Sequence, residues 1–383
     1  MSTHEAPTMN ATSTPHAAPE KTHLKIGFVP LADAAPLVAA KLLEFGHAHG
    51  LTLELSRQPS WAALRDKLLA GELDATHTLY GLVYGVQLGI GGPQQDMAVL
   101  MVLNRNGQAI TLSNRLADAL AEHGTLPRAL ATLDRKPVFA QTFPTGTHAM
   151  WLNYWLAAQG VHPLRDIESV VIPPPQMVAA LTEERLDGFC AGAPWPALAQ
   201  RRGVGRTAIR SGEIWPDHPE KVLACRRDFV TRHPNTARAL VQTMLEACRW
   251  LDGVGHRGEI AQWLARPEML GVDTAVIAEE LEGAGAADGQ RMKFFESGAV
   301  NYPLESEGIW FLTQFERWGM VARRNDYREI ACGVNQTALY RAAALEVGVE
   351  MPAAFDKPVF VDGRVWDGID AAAYVEGFEV RGG

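Results

Sequence analysis

The chain has 383 residues, 47% hydrophobic and 21% charged, with a formal net charge of −9. That composition is that of an ordinary soluble globular protein, with apolar material for roughly two domains. The acidic balance argues against a nucleic-acid surface, which attracts phosphates through Lys and Arg. Any bound anion must therefore be held by local groups rather than by the long-range field.

Residues 1–22 are rich in Ser, Thr, Pro, Ala and His and contain neither a basic start nor an apolar stretch. They read as a disordered leader rather than a secretory signal, so a cytoplasmic protein is expected. Cys190, Cys225, Cys248 and Cys332 stand far apart in apolar surroundings, which predicts buried reduced thiols rather than a disulfide framework. No apolar run approaches the length of a membrane span.

Lys25-Ile26-Gly27-Phe28-Val29 reads as a first strand, ending in Pro30-Leu31-Ala32-Asp33 and followed by a helix over 36–47. A second strand is expected over 52–55, and Ser60 is placed to cap a helix over 61–69. Gly71-Glu72-Leu73-Asp74-Ala75-Thr76 then leads into a third short strand. Strands alternating with helices predict an α/β protein with parallel sheets and ligands at the strands' carboxyl ends. Residues 99–103 and 109–112 read as strands crossing between lobes, with Asn104-Arg105-Asn106-Gly107-Gln108 as a turn near the hinge.

The most informative stretch is 141–155. Val138-Phe139-Ala140 meets a Pro-Thr-Gly-Thr turn, and an apolar-periodic helix follows with Thr147 or its neighbour as N-cap. Such a junction presents backbone N–H groups and positive helix-dipole potential, and His148 adds a donor in the first turn. The opening phrase then recurs: strand 170–172, a Pro173-Pro174-Pro175 turn, helix 176–182, then Leu186-Asp187-Gly188-Phe189-Cys190 echoing Leu73-Asp74-Ala75-Thr76. Two lobes of similar plan follow, facing a shared cleft: lobe I over 23–112 and 225–383, the latter with a helical extension, and lobe II over 113–224. Beyond 236 the pattern is mostly helical, over 236–251, 259–265, 275–282, 307–318 and 337–347.

With the cleft placed, several blocks resemble one family: Asn106-Gly107-Gln108, Phe143-Pro144-Thr145-Gly146-Thr147-His148, Pro174-Pro175-Gln176-Met177-Val178-Ala179, Gly188-Phe189-Cys190, Ile214-Trp215-Pro216-Asp217-His218-Pro219-Glu220-Lys221 and Trp310-Phe311-Leu312-Thr313-Gln314. The chain resembles the NrtA/CmpA-type nitrate and bicarbonate binding proteins and their cytoplasmic relatives, the NasS-type nitrate/nitrite sensors. The resemblance implies a type II periplasmic-binding-protein fold, with an anion clamped between lobes by Trp61, Gln108, His148 and Lys221. Gly146, Thr147, Pro175 and Gln176 would support them. Bicarbonate-type members look different at the Lys221 position, where an acidic residue recruits calcium, so Lys221 favours nitrate or nitrite. Where the transporters commonly read Gly-Glu-Pro-Trp, this chain has Gly192-Ala193-Pro194-Trp195. For a NasS-type sensor the implied partner is a NasT-type RNA-binding antiterminator, held when ligand is absent.

The chemistry is coherent beside the resemblance. Nitrate is planar, monovalent and weakly basic, and suits one ammonium plus the neutral donors of Gln108, Trp61 and His148. Each residue also has a plainer role: His148 as a helix cap, Lys221 as a solvated lysine, Trp61 as cleft wall, Gln108 as holder of its own turn. Other patterns yield no catalytic set. Gly203-Val204-Gly205-Arg206-Thr207-Ala208 matches a loose nucleotide-binding pattern but reads as a loop, and His47-x-His49 as the end of a surface helix. A transporter's solute-binding component is the first alternative. A thiamin pyrimidine precursor synthase-like enzyme is the second, and the dispersed cysteines argue against its iron motif.

Overall fold

The computed structural model describes residues 17–283, 285–287, 290–351 and 357–382. Most of the expected leader, residues 1–16, lies outside them. The strands are β1 (His23–Phe28), β2 (Thr52–Arg57), β3 (Ala75–Leu79), β4 (Met97–Arg105), β5 (Gln108–Ser113), β6 (Val138–Gln141), β7 (Glu168–Val171), β8 (Gly188–Gly192), β9 (Gly205–Arg210) and β10 (Pro219–Arg226). They form two five-stranded sheets, ordered β2-β1-β3-β10-β4 and β7-β6-β8-β5-β9. Helices follow as α1 (Ala35–Leu42), α2 (Trp61–Leu69), α3 (Tyr80–Gln87), α4 (Asn114–His123), α5 (Leu126–Leu130), α6 (Thr147–Ala158), α7 (Pro174–Thr182), α8 (Trp195–Arg201) and α9 (Ser211–Ile214). The later helices are α10 (Arg227–Arg232), α11 (Pro234–Leu251), α12 (His256–Leu264), α13 (Thr274–Glu282), α14 (Glu305–Arg317), α15 (Tyr327–Val334), α16 (Thr337–Glu346) and α17 (Ala371–Glu376).

The local rules hold where side chains cap or turn the chain. Ser60 Oγ accepts the Ala63 N–H and starts α2. Every residue of β4 is buried, as its continuous apolar run requires of a strand covered on both faces. The two sheets are related plans: in each, four strands run in one direction and one, β10 in the first and β5 in the second, runs against them. The expectation of purely parallel sheets is corrected by β5 and β10, each a strand that has crossed from the other lobe.

That crossing also moves the lobe boundaries. β5 belongs to the second sheet and β10 to the first, so the chain changes lobe at Asn106-Gly107 and again before Pro219. The boundaries expected after 112 and 224 each fall one strand too late. Asn106 and Gly107 have φ of 59° and 97°, the left-handed backbone that turns one strand into the other lobe. The segment 203–208, expected as a loop, is largely β9, because its alternating side chains pair along β5. Cys332 is exposed, unlike the three buried cysteines. His47 and His49 sit in a 3-10 turn (Phe45–His49), with His49 paired to Glu246 rather than ending a helix. Among the described residues no helix is long and apolar enough to cross a membrane.

The lobes meet closely. The Ala32 N–H donates to the Ala193 carbonyl across the cleft at 2.9 Å. On α3, Gly81 and Gly85 lie one turn apart on one face and accept the loop before α6. A Cβ at Gly81 would stand 2.3 Å from the Thr145 carbonyl, and one at Gly85 2.3 Å from Thr145 Oγ1. Beyond α16 the chain returns over both lobes. The Val361 N–H donates to the Ile214 carbonyl, Asp362 accepts from the Tyr154 hydroxyl on α6, and Trp366 Nε1 donates to the Ser306 carbonyl on α14. Substituting Gly85→Ala overpacks this interface, at a cost expected near 1–3 kcal/mol. Urea unfolding measures the cost, and small-angle scattering should show a larger radius of gyration as the lobes part.

Candidate functional site

The cleft is built from strand ends. Asp33 follows β1 in a 3-10 turn, His77 sits on β3, Trp61 opens α2, His148 lies in the first turn of α6, and Glu220 and Lys221 come from β10. All are buried, with Asp33, His77, His148, Glu220 and Lys221 at 0% exposure. Lys221 Nζ lies 2.8 Å from Asp33 Oδ2 and 2.7 Å from Glu220 Oε1. His77 Nε2 contacts Asp33 Oδ1 at 2.9 Å. From the other lobe, Thr147 Oγ1 donates to Glu220 Oε1 at 2.5 Å and Trp151 Nε1 to Oε2 at 3.2 Å.

Glu220 and Lys221 are consecutive, and in a regular strand they would point to opposite faces. The β10–β4 register steps from Pro219 opposite Arg105 to Lys221 opposite Asn104, leaving Glu220 as an extra residue. This bulge turns both side chains into one space. Lys221 is fixed there by its N–H, which donates to Asn104 Oδ1.

Around the cluster lie donors that the protein leaves unused. Trp61 Nε1 and His148 Nε2 are buried without a hydrogen-bond partner. The Trp61 ring centre is 5.6 Å from Lys221 Nζ, and His148 Nε2 is 3.7 Å from Glu220 Oε1. His148 Nδ1 stands 2.6 Å from Thr142 Oγ1. With Nδ1 accepting that hydroxyl, the neutral ring carries its proton on Nε2, directed at the cluster. Gly192 closes the wall: a Cβ there would lie 3.4 Å from Asp33 Oδ2 and 3.6 Å from His148 Nε2.

Gln108 is the neighbour of Gly192 across the β5–β8 pair. Its side-chain amide donates to the Asn106 carbonyl at 3.3 Å, and its Oε1 lies 3.1 Å from Ser211 Oγ. Ser211 in turn contacts His218 Nε2 at 2.8 Å. Of the four residues named from the sequence, Trp61, His148 and Lys221 converge directly, while Gln108 is held in the adjoining turn. Of the supporting set, Thr147 reaches Glu220, and Gly146 is the N-cap of α6, where a Cβ would strike Leu79. Thr147 is not that cap: its hydroxyl is committed to Glu220, and no side chain caps α6. Pro175 and Gln176 are exposed in the first turn of α7, so neither belongs to the buried cluster.

With this geometry in place, the comparisons with known proteins are direct. The model of the NMT1-like family matches residues 17–265. The nitrate/nitrite binding protein NrtA of a Nostoc species is 35% identical over 98% of this chain and 90% of its own. The chain belongs to this family. The crystal structure of the periplasmic nitrate-binding protein NrtA from Synechocystis superposes with a TM-score of 0.89 at 34% identity, covering 95% of this chain and all of that one. The bicarbonate-binding protein CmpA of a Synechococcus species is 30% identical over 94% of this chain and 87% of its own. The two lobes therefore form a periplasmic-binding-protein fold, and these relatives are named for binding rather than catalysis.

The electrostatics of this buried cluster differ from those of a lone ammonium among neutral donors. Burial alone would push the Lys221 ammonium down, but Asp33 and Glu220 outweigh it and hold its pKa above the ordinary value. Burial likewise opposes the Asp33 carboxylate, yet Lys221 and His77 keep it well below the usual range. Glu220 goes the other way: burial raises it, and Lys221 and Thr147 only partly compensate. His148 is driven well down by burial and by Lys221, His77 down by burial despite Asp33, and His218 to about 3 by burial.

Sequence reasoning missed Asp33, His77 and Glu220 as members of the site. Asp33 carried a usable signal, since it directly follows the first strand, where ligands collect. Glu220 carried none, because the bulge that turns it inward is a property of pairing. Replacing Lys221→Met leaves two buried carboxylates without their cation, at an expected cost of about 3–5 kcal/mol in chemical denaturation. Adding Asp33→Asn to that variant should restore part of the loss.

Proposed function

We propose that this chain binds nitrate or nitrite in the cleft between its lobes. The observation carrying the reading is that two unpartnered buried nitrogens, Trp61 Nε1 and His148 Nε2, belong to rings set around the Lys221–Glu220 pair, the Trp61 ring centre 5.6 Å from Lys221 Nζ and His148 Nε2 3.7 Å from Glu220 Oε1. A small planar acceptor satisfies both nitrogens and the ammonium, whereas leaving a buried donor unmade costs about 1–3 kcal/mol each. The names of the NrtA relatives and the extent of the match support the same ligand.

Within this reading, the chain acts as a cytoplasmic nitrate/nitrite sensor that holds a NasT-type RNA-binding antiterminator when unliganded and releases it on binding. Contacts that join the lobes, Thr147 to Glu220 and Ala32 to Ala193, lie beside the anion space. A ligand touching both lobes thus favours the closed form by its differential affinity for the two states. The second reading, a transporter's solute-binding component, is favoured by the periplasmic nitrate-binding protein that shares this fold.

Calorimetric titration should give nitrate and nitrite dissociation constants on the order of micromolar, about −8 kcal/mol, with sulfate weaker. Trp61→Phe, which keeps the ring but removes its N–H, should weaken binding roughly 5-fold, the worth of one neutral hydrogen bond. A NasT-type partner should elute from the immobilised chain on addition of nitrate. Elution indifferent to nitrate, together with fractionation into the periplasm, selects the transport reading.

A further inference from the structure

The buried groups of the cleft do not sum to a positive site. One ammonium, Lys221, faces two carboxylates, Asp33 and Glu220, all at 0% exposure. With both carboxylates ionised and the imidazoles neutral, the cluster carries one net negative charge before any anion arrives. A monovalent anion hydrogen-bonded to Lys221 Nζ and His148 Nε2 would also stand beside Glu220 Oε1, which is 2.7 Å from the first and 3.7 Å from the second. Nitrate, nitrite and an ionised carboxylate are all acceptors only. Two such groups meeting in a low-dielectric cleft repel strongly.

We infer that the anion enters this cleft together with one proton taken from solvent, and that the proton resides on the Glu220 carboxyl. The inference rests on the anion-binding reading above and specifies how that site balances its charge. Protonation turns Glu220 into a donor among acceptors and raises the cluster's charge by one unit, offsetting the one negative unit the anion adds. The Glu220 O–H bond forms as the corresponding bond of hydronium or of the buffer acid breaks, and no other bond changes.

The surroundings select Glu220 over its neighbours. On its own strand it faces Lys221 and, at 3.9 Å, His218, whose ring contacts Ser211 and the Pro219 carbonyl. From α6 it faces His148, Thr147 and Trp151, from the turn after β1 Asp33, and from β8 the buried Cys190 thiol. Arg105 on β4 is committed to Glu307 at 2.6 Å. Asp33 is ion-paired with Lys221 through Oδ2 and hydrogen-bonded to His77 through Oδ1, and both hold it ionised. A second cation on His148 or His77 would lie beside Lys221, and burial already disfavours it. Glu220 remains as the carboxyl raised by burial and by Asp33.

The sign of the pH effect follows. The bound anion raises the pKa of Glu220 further, so the complex holds more protons than the free protein in the window between the two values. Affinity is then constant below the free-protein pKa and falls about tenfold per pH unit above it, until the pKa of the complex is passed. A dianion such as sulfate would call for a second proton, which the cluster has no favourable place to hold.

Calorimetry of nitrate binding in buffers of different ionisation enthalpy tests this with the full chain. Within the window, the apparent enthalpy should vary with buffer with a slope approaching about one proton per anion. Glu220→Gln, neutral at every pH, should bind nitrate with buffer-independent heat and a pH-independent dissociation constant. His148→Gln should bind more weakly but keep the buffer slope. Binding by the wild type with buffer-independent heat and flat pH dependence across pH 5–9 overturns the inference alone. A slope that survives Glu220→Gln but vanishes in His148→Gln overturns the assignment to Glu220. Absence of nitrate and nitrite binding at every pH overturns the functional reading, and this inference falls with it.

Discussion

The ammonium of Lys221, buried between the carboxylates of Asp33 and Glu220, is the constraint to which the remaining structure answers. Taking three ions out of water costs several kcal/mol each, and only close, hydrogen-bonded geometry offsets it. The fold supplies that geometry from several separate elements. The turn after β1 brings Asp33, β3 brings His77 to orient it, the bulge in β10 aims both Glu220 and Lys221 inward, and α6 offers Thr147 and Trp151 to Glu220. Each group therefore depends on long-range contacts, and none is assembled from one local stretch.

Because Glu220 belongs to the first sheet and its two neutral donors to α6 of the second lobe, the ion cluster also joins the lobes. Behind it, Trp151 packs at a tilt against His218 with ring centres 4.5 Å apart and against Trp310 of α14 at 5.0 Å. Trp215 and Phe360 extend this aromatic layer toward the returning C-terminal segment. Charge at the front and aromatic packing at the back give the lobe junction two different sensitivities. The front responds to an added anion or proton, whereas the back provides apolar burial that neither alters.

Such an arrangement separates binding strength from net charge. A site of uncompensated cations would attract any anion, dianions included. Here the cation is already matched, so a guest is held by directed donors and by what it does to the cluster's protonation. The neighbouring layer of Gln108, Ser211 and His218 is uncharged and interlocked, fixing the turn through which the chain passes between lobes.

Much of the plan was legible in the residues themselves. Period-two and helical patterns placed most strands and helices, Ser60 marked a helix start, and the Pro-Thr-Gly-Thr turn marked the strand–helix junction beside His148, because these signals act over a few residues. Of the four residues named from the sequence, Trp61, His148 and Lys221 stand around the buried cluster and Gln108 lies in the adjoining turn. Tertiary structure alone decided the rest. Antiparallel pairing of β5 and β10 in the opposite lobe moved the boundaries, and a segment expected as loop became β9 through pairing with β5. A one-residue bulge set Glu220 beside Lys221, and folding brought Asp33 from nearly two hundred residues away. Local sequence encodes which conformations are cheap; the charge of a buried site depends on which distant groups share its small volume, and only packing fixes that.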